Sequence, residues 1–119
     1  MSGQVTHFEI RGKDGAALMQ FYRDLFGWSI DANNPMQYGM VPALEGGIGG
    51  GVTGVQPGQP TGVMVYIEVP DVAAALEQAK AKGGTVVMEA TAIPMGDMVI
   101  GLFADPEGNV VGLAKEGAM

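Results

Sequence analysis

The side chains with most to offer chemically stand at alternate positions of two short apolar segments. In VTHFEIR, residues 5–11, they are His7, Glu9 and Arg11; in VMVYIEV, residues 63–69, they are Met64, Tyr66 and Glu68. Alternation with a period of two is the mark of a strand whose two faces meet different surroundings. Phe8 and Ile10 need burial under a following helix, which leaves His7, Glu9 and Arg11 on the opposite face. Val63, Val65, Ile67 and Val69 likewise leave Met64, Tyr66 and Glu68. The shared lining would hold an imidazole, a phenol, carboxylates, a guanidinium and a thioether. Such a set suits the binding of a small, partly apolar organic molecule, or proton transfer next to a carbonyl. Glu9 shares a strand face with His7 and could orient its ring. His7 reads either as a hydrogen-bonded wall residue or as a general base or metal ligand. Tyr66 fits packing, hydrogen bonding to a ligand or proton donation equally well, and Glu68 is a second candidate base.

Other chemistries are excluded by what the chain lacks. There is no cysteine, so disulfides, thiolate metal sites and a cysteine nucleophile are ruled out together. A formal charge of −7 with six Lys and Arg leaves no cationic track for phosphates, and nucleic acid is dropped as a partner. No apolar run approaches the roughly 20 residues that cross a bilayer, and MSGQVTHFEIRG lacks the pattern of a signal peptide. The expectation is a cytoplasmic protein with no membrane partner. Gly49, Gly51 and Gly54 spell G-x-G-x-x-G, but Pro57 and Pro60 follow where a dinucleotide site needs a helix. Glycine there suits close backbone packing or the approach of a ligand.

The elements that position these residues occur twice. Asp14 can cap a helix whose stripe is Leu18, Phe21, Tyr22 and Leu25 and whose end is Gly27. Asp71 can cap a second, with Val72, Ala75, Leu76 and Ala79 as its stripe and Gly83-Gly84 as its stop. An offset of 57 carries Asp14 onto Asp71, Phe8 onto Val65, Ile10 onto Ile67 and His7 onto Met64. Three extended stretches follow each helix: about 28–32, 36–41 and 47–52, then about 85–91, 98–104 and 109–115. Both halves read βαβββ. The predicted fold is α+β within a single domain, 1–119, with module one at about 5–55, a linker at 56–62 and module two at about 63–115. Asp105-Pro106-Glu107-Gly108 has the chemistry of a type I turn closing the last hairpin. Trp28 is expected to anchor the core beside the first helix. Nine methionines are numerous for this length, and parity places Met64 on the chemical face.

FYRDLFGW at 21–28, YIEVPDVAAALEQAKAKGG at 66–84 and FADPEGN at 103–109 resemble the vicinal oxygen chelate superfamily, which groups glyoxalase I, extradiol dioxygenases, fosfomycin-resistance enzymes and bleomycin-binding proteins. The resemblance implies two βαβββ modules in an open, cup-shaped, eight-stranded barrel with helices outside, usually in a homodimer. In metal-dependent members a divalent ion sits in the cup, held by His, Glu or Gln from the first and last strands of each module. His7 matches the first of these positions. The others fall on Met64, on Gly112 and within GGIGGGV, while Glu45 is nearby but out of place. A lone imidazole and a soft thioether make a poor site for Mg²⁺, Mn²⁺, Zn²⁺ or Ni²⁺. The expectation is therefore a homodimeric small-molecule-binding protein with a degenerate metal site and no cofactor. Its ligand would meet His7, Glu9, Arg11, Met64, Tyr66 and Glu68. The alternative is a lyase, isomerase or epimerase that uses a non-standard metal set, or metal-free proton transfer by His7 or Glu68. Glyoxalase I activity is not expected, because its acid–base chemistry relies on the metal and a ligating carboxylate.

Overall fold

Both helices start where an aspartate can serve them. In the computed structural model, which describes residues 3–117, the Asp14 carboxylate accepts from Ala17 N and opens α1 (Gly15–Phe26). Asp71 accepts from Ala74 N and opens α2 (Val72–Ala81). Each satisfies a backbone donor that the first turn leaves without a partner. Gly27 ends α1 with φ +67°, a left-handed conformation that costs glycine little.

The chain divides into two compact units, His7–Met64 in one and Val65 onward with the residues up to Thr6 in the other. In the first, β1 (Gln4–Gly12) runs parallel to β3 (Gly49–Gly54), and β2 (Gly39–Val41) pairs antiparallel with β3. In the second, β4 (Gly62–Val69) runs parallel to β7 (Val110–Lys115), followed across the sheet by β6 (Val99–Ala104) and β5 (Thr85–Ala92), both antiparallel. The second unit follows βαβββ in full. The first falls one strand short, and seven strands rather than the expected eight form among the described residues. The missing strand is 28–32, which pairs only through a single bridge between Asp31 and Met40. The reason is local: Asp31 Oδ1 takes Asn33 N at 2.8 Å and Asn34 folds the next residues into a turn, so the chain leaves the sheet after one pair. β2 and β5 each have one strand neighbour, so the sheet structure is open rather than closed.

Phe8 and Ile10 do pack toward α1, in a cluster with Met19, Ile30, Val41 and the fully buried Val52. The helix stripe is phased differently from the prediction. Phe21 and Leu25 are exposed, while Leu18, Met19 and Tyr22 carry the contact. Gly15 explains this: a Cβ there would lie 2.6 Å from Gly54 N, so the first turn of α1 rests directly on the backbone at the end of β3, which turns Met19 inward. Trp28 stacks on Tyr22 with centroids 5.4 Å apart and tilts against Phe8 and Phe26, as its anchoring role requires. In the second unit Val69, Val72, Ala75, Leu76 and Leu113 form the core, with Ile67 packed against it. Val63, expected on the buried side of its strand, is 74% exposed, because it stands at the strand's second residue before the helix offers cover. Asp105 closes the last hairpin as predicted. Its backbone oxygen accepts from Gly108 N, and its carboxylate accepts from Asn109 and from the Glu107 and Asn109 amides. The Asn109 side chain, first among these donors, holds the Asp105 carboxyl below its usual range.

Candidate functional site

In the first unit the polar face of β1 is buried rather than wet. His7 and Glu9 are 7% and 6% exposed, and burial of that depth requires partners. The main partner is Tyr38, which comes from the loop before β2. Its hydroxyl donates to Glu9 Oε1 at 2.9 Å and lies 2.7 Å from His7 Nε2. A phenol has one proton, and here the carboxylate takes it. His7 must then carry its hydrogen on Nε2 and donate to the Tyr38 oxygen, which puts the lone pair of the neutral ring on Nδ1. Burial pushes the His7 pKa down, so the neutral ring is the form present at pH 7.

Arg11 continues the row. Its Nε lies 3.4 Å from Glu9 Oε2, an ion pair whose geometry falls short of a hydrogen bond, and that Nε is buried without a hydrogen-bond partner. Its Nη1 donates to Met64 Sδ at 3.6 Å. His7, Tyr38, Glu9, Arg11 and Met64 thus form one continuous chain of contacts.

Two devices hold Tyr38 in place. Asn34 takes Tyr38 N on its side-chain oxygen at 2.9 Å and gives its amide to Tyr38 O at 2.7 Å. Between them Gln37 adopts φ +50°, the only non-glycine residue with positive φ among those described. The second device is Gly51, which pairs with Glu9 in the sheet. The Tyr38 ring lies where any β-carbon on Gly51 would stand. Gly50 admits the Phe8 ring in the same way on the helix side. The glycine run therefore serves close packing of aromatic rings.

Four of the six predicted lining residues, His7, Glu9, Arg11 and Met64, come together in this unit. Tyr66 and Glu68 belong to the other. Tyr66 is buried, and its ring covers Gly112, its cross-strand partner; Glu68 is half-buried opposite Ala114. Tyr38, Asn34 and Gly51 went unseen in the sequence. Their only signal was a tyrosine just before a strand and a glycine too many within one, and neither reveals the register that joins them. A cavity of about 400 Å³ lies in the second unit between α2 and its sheet, lined by Ile67, Ala75, Ala79, Phe103, Leu113 and Lys82 among others. It contains none of the six predicted lining residues.

These donors do not fit a divalent ion. His7 is committed to Tyr38, the Met64 sulfur meets the guanidinium of Arg11, and the space above Gly112 is filled by the Tyr66 ring. No group of three His, Asp or Glu side chains able to hold an ion occurs among the described residues. A guanidinium beside the second expected ligand position would itself repel a cation.

A profile described as the Glyoxalase/Bleomycin resistance protein/Dioxygenase superfamily matches residues 4–113. The chain belongs to this superfamily. It is 33% identical over 120 residues to the proteins named "Putative glyoxylase CFP32" of Mycobacterium bovis and Mycobacterium tuberculosis; the match takes in 93% of this chain but 45% of theirs. The chain thus spans about half the length of these curated relatives. Among solved structures of the fold, a methylmalonyl-CoA epimerase in complex with methylmalonyl-CoA and NH4+ is similar at TM-score 0.67 and 18% identity, covering 99% of this chain and 97% of the other. A superfamily member from Vibrio splendidus 12B01 is similar at TM-score 0.64 and 15% identity, covering 97% of this chain and all of that one. Of the predicted pair of βαβββ modules, the second is seen in full and the first lacks one strand. No helix is long and apolar enough to cross a membrane among the described residues.

Proposed function

We propose that this chain is a small-molecule-binding member of the superfamily that works without a metal ion, holding a partly apolar organic ligand against the His7, Glu9, Arg11 and Met64 face. One observation carries the reading. At the position that the resemblance to metal-dependent members gives to the first ligand, His7, Tyr38 and Glu9 satisfy one another through hydrogen bonds of 2.7 and 2.9 Å. A network closed in this way is rigid, and it would have to be dismantled before any of its members could coordinate a cation. What it offers instead is a fixed set of polar groups beside a thioether, the mixture a small-molecule site uses for orientation. Native mass spectrometry of the protein as purified tests this. A retained organic mass without metal is expected, and stoichiometric tightly bound Ni, Zn, Mn or Fe would overturn it. The same spectrum reports the homodimer that belongs to this reading. A cytoplasmic location is part of the proposal, and nucleic acid and membranes are not among the partners.

A second reading is favoured by the state of His7. An imidazole kept neutral by burial is a base at pH 7, and abstraction of a proton next to a carbonyl asks for little more than a positioned base. The similarity to methylmalonyl-CoA epimerase makes epimerisation the reaction to try. Glu68, the other candidate base, lies in the other unit. With methylmalonyl-CoA in D2O, deuterium should enter the carbon between the two carbonyls faster with the protein than without it, and His7→Ala should remove the difference. Equal rates with and without protein would eliminate this reading.

A further inference from the structure

We propose that the ligand of this site carries a carboxylate, and that Arg11 receives it end-on while the Met64 sulfur gives way. The inference rests on the small-molecule reading above and names the chemical class of the ligand. Arg11 is the least satisfied group of the buried row. A guanidinium has five N–H donors in a rigid fork, and its side chain here is 11% exposed. Nε is buried without a hydrogen-bond partner, its ion pair with Glu9 is 3.4 Å long, and Nη1 meets only a thioether at 3.6 Å. Thioether sulfur is a weak acceptor, so a cation largely withdrawn from water is left with one carboxylate at a distance and one soft contact. Stability alone gives little reason for an arginine in that state, because apolar residues of similar size often serve as well or better.

The geometry also says which ligand group completes it. Glu9 lies on the Nε side of the fork, and at its other end Nη1 meets the Met64 sulfur. Two parallel N–H donors at that end match the two oxygens of a carboxylate, and such charge-assisted pairs are about twice as strong as neutral ones. Methionine is unbranched and adaptable, so its sulfur can leave Nη1 at small cost and its methyl group can pack beside the apolar part of the ligand. Charge points the same way. Glu9 and Arg11 cancel and His7 is neutral, so no net negative charge in the row opposes an incoming anion.

The test uses acid and amide pairs of one shape: benzoate against benzamide and propionate against propionamide. They are titrated into protein with 13C-labelled methionine methyl groups while the single histidine is followed in the same samples. The acids are expected to shift the Met64 methyl saturably, with the amides at least about ten-fold weaker. Arg11→Gln should lower acid affinity at least about ten-fold. Because that change strands Glu9, the paired variant Glu9→Gln with Arg11→Gln removes both charges together and should show the same loss while keeping the fold. Met64→Leu, which deletes the competing acceptor, should bind the acids as well as the parent protein or a few-fold more tightly. Equal binding of acid and amide, with the His7 signal still moving, would overturn the carboxylate proposal and leave the small-molecule reading standing. Undiminished acid binding by the paired variant would do the same. If neither Met64 nor His7 responds to any of the four compounds, both readings fall.

Discussion

The two halves of this chain solve one problem in two ways. Each unit has a glycine on its last strand beneath an aromatic ring: Gly51 under Tyr38, Gly112 under Tyr66. In the second unit the ring comes from the paired strand, since Tyr66 is itself the cross-strand partner of Gly112. This is the ordinary way for a sheet to cover a glycine, with an aromatic neighbour directly opposite. In the first unit the paired residue is Glu9, which has no ring to offer, and the cover arrives from a loop. An offset of 57 relates Glu9 to Tyr66, so the same slot holds a carboxylate in one copy and a phenol in the other. The difference has a chemical result. A ring delivered by a loop brings its hydroxyl down between His7 and Glu9, whereas the ring on the strand lies over the glycine with which it is itself paired. Asymmetry between the copies, rather than the repeated unit itself, makes the site.

The sharpest way to break this comparison is to fill the two glycines. Gly51→Ala and Gly112→Ala should each destabilise by about 1–3 kcal/mol, because each methyl collides with a ring and overpacking forces backbone or rotamer shifts. Urea unfolding measures both. Gly51→Ala should also move the His7 ring signals, since the ring it displaces, Tyr38, is bonded to the histidine; unmoved signals would mean that the ring delivered by the loop is not tied to the site. Next in size is Tyr38→Phe, which keeps the cover and removes the bridge. It strips a buried hydrogen-bond partner from both Glu9 and His7, at a cost of about 1–3 kcal/mol. An unchanged unfolding midpoint would show that the Tyr38 phenol serves as cover alone.

Much of this was legible in the chain itself, and the reasons are physical. Helix starts are local events, which is why Asp14 and Asp71 were readable from residue type and spacing. Strand parity is also local, so Phe8 and Ile10 were placed toward the helix and His7, Glu9 and Arg11 away from it. The superfamily followed from motifs at the helix and turn. What could not be read depends on register and on loops. The approach of Tyr38 needs the pairing of Glu9 with Gly51, a contact between residues 42 apart, and a turn built by Asn34. Leu18 and Tyr22 were placed correctly, but the apolar stripe of α1 was misjudged at Phe21 and Leu25. The amphipathic pattern sets the period, while the phase was decided by Gly15 against the backbone of β3. The segment 28–32 looked like a strand because its residues alternate, and its pairing was lost to the turn chemistry of the asparagines after it.

Acid should separate the halves more gently, because the first unit holds the only histidine of the chain. Burial places the His7 pKa below that of an exposed imidazole, so the unfolded chain takes up the proton first as pH falls. Stability present above about pH 6.5 should decline as pH falls from there toward the lowered native value and then level off. The slope is at most about 1.4 kcal/mol per pH unit, the free energy of one proton per tenfold change in its activity. Tyr38 lies against the ring and, through it, Glu9 and Arg11 are connected to it. Stability curves of the parent and His7→Gln between pH 5 and 8 should converge at the acid end and part above pH 6.5. Curves that stay parallel across the range would show that the ring is not titrated out of register with its unfolded state.

The smallest effect asks whether the copies are still equivalent where no chemistry divides them. Asp14 and Asp71 make the same contact, a carboxylate oxygen 3.0 Å from the amide three residues on, and both caps are exposed. Replacing either by alanine should cost about 1 kcal/mol. The expected finding is near equality, within a few tenths of a kcal/mol, and additivity in the double variant, since the caps share no partner. A much larger loss at Asp14 would mean that α1, through Gly15 and the end of β3, helps to hold the sheet on which His7 and Glu9 stand. In that case the site would depend on the helix as well as on the loop that carries Tyr38.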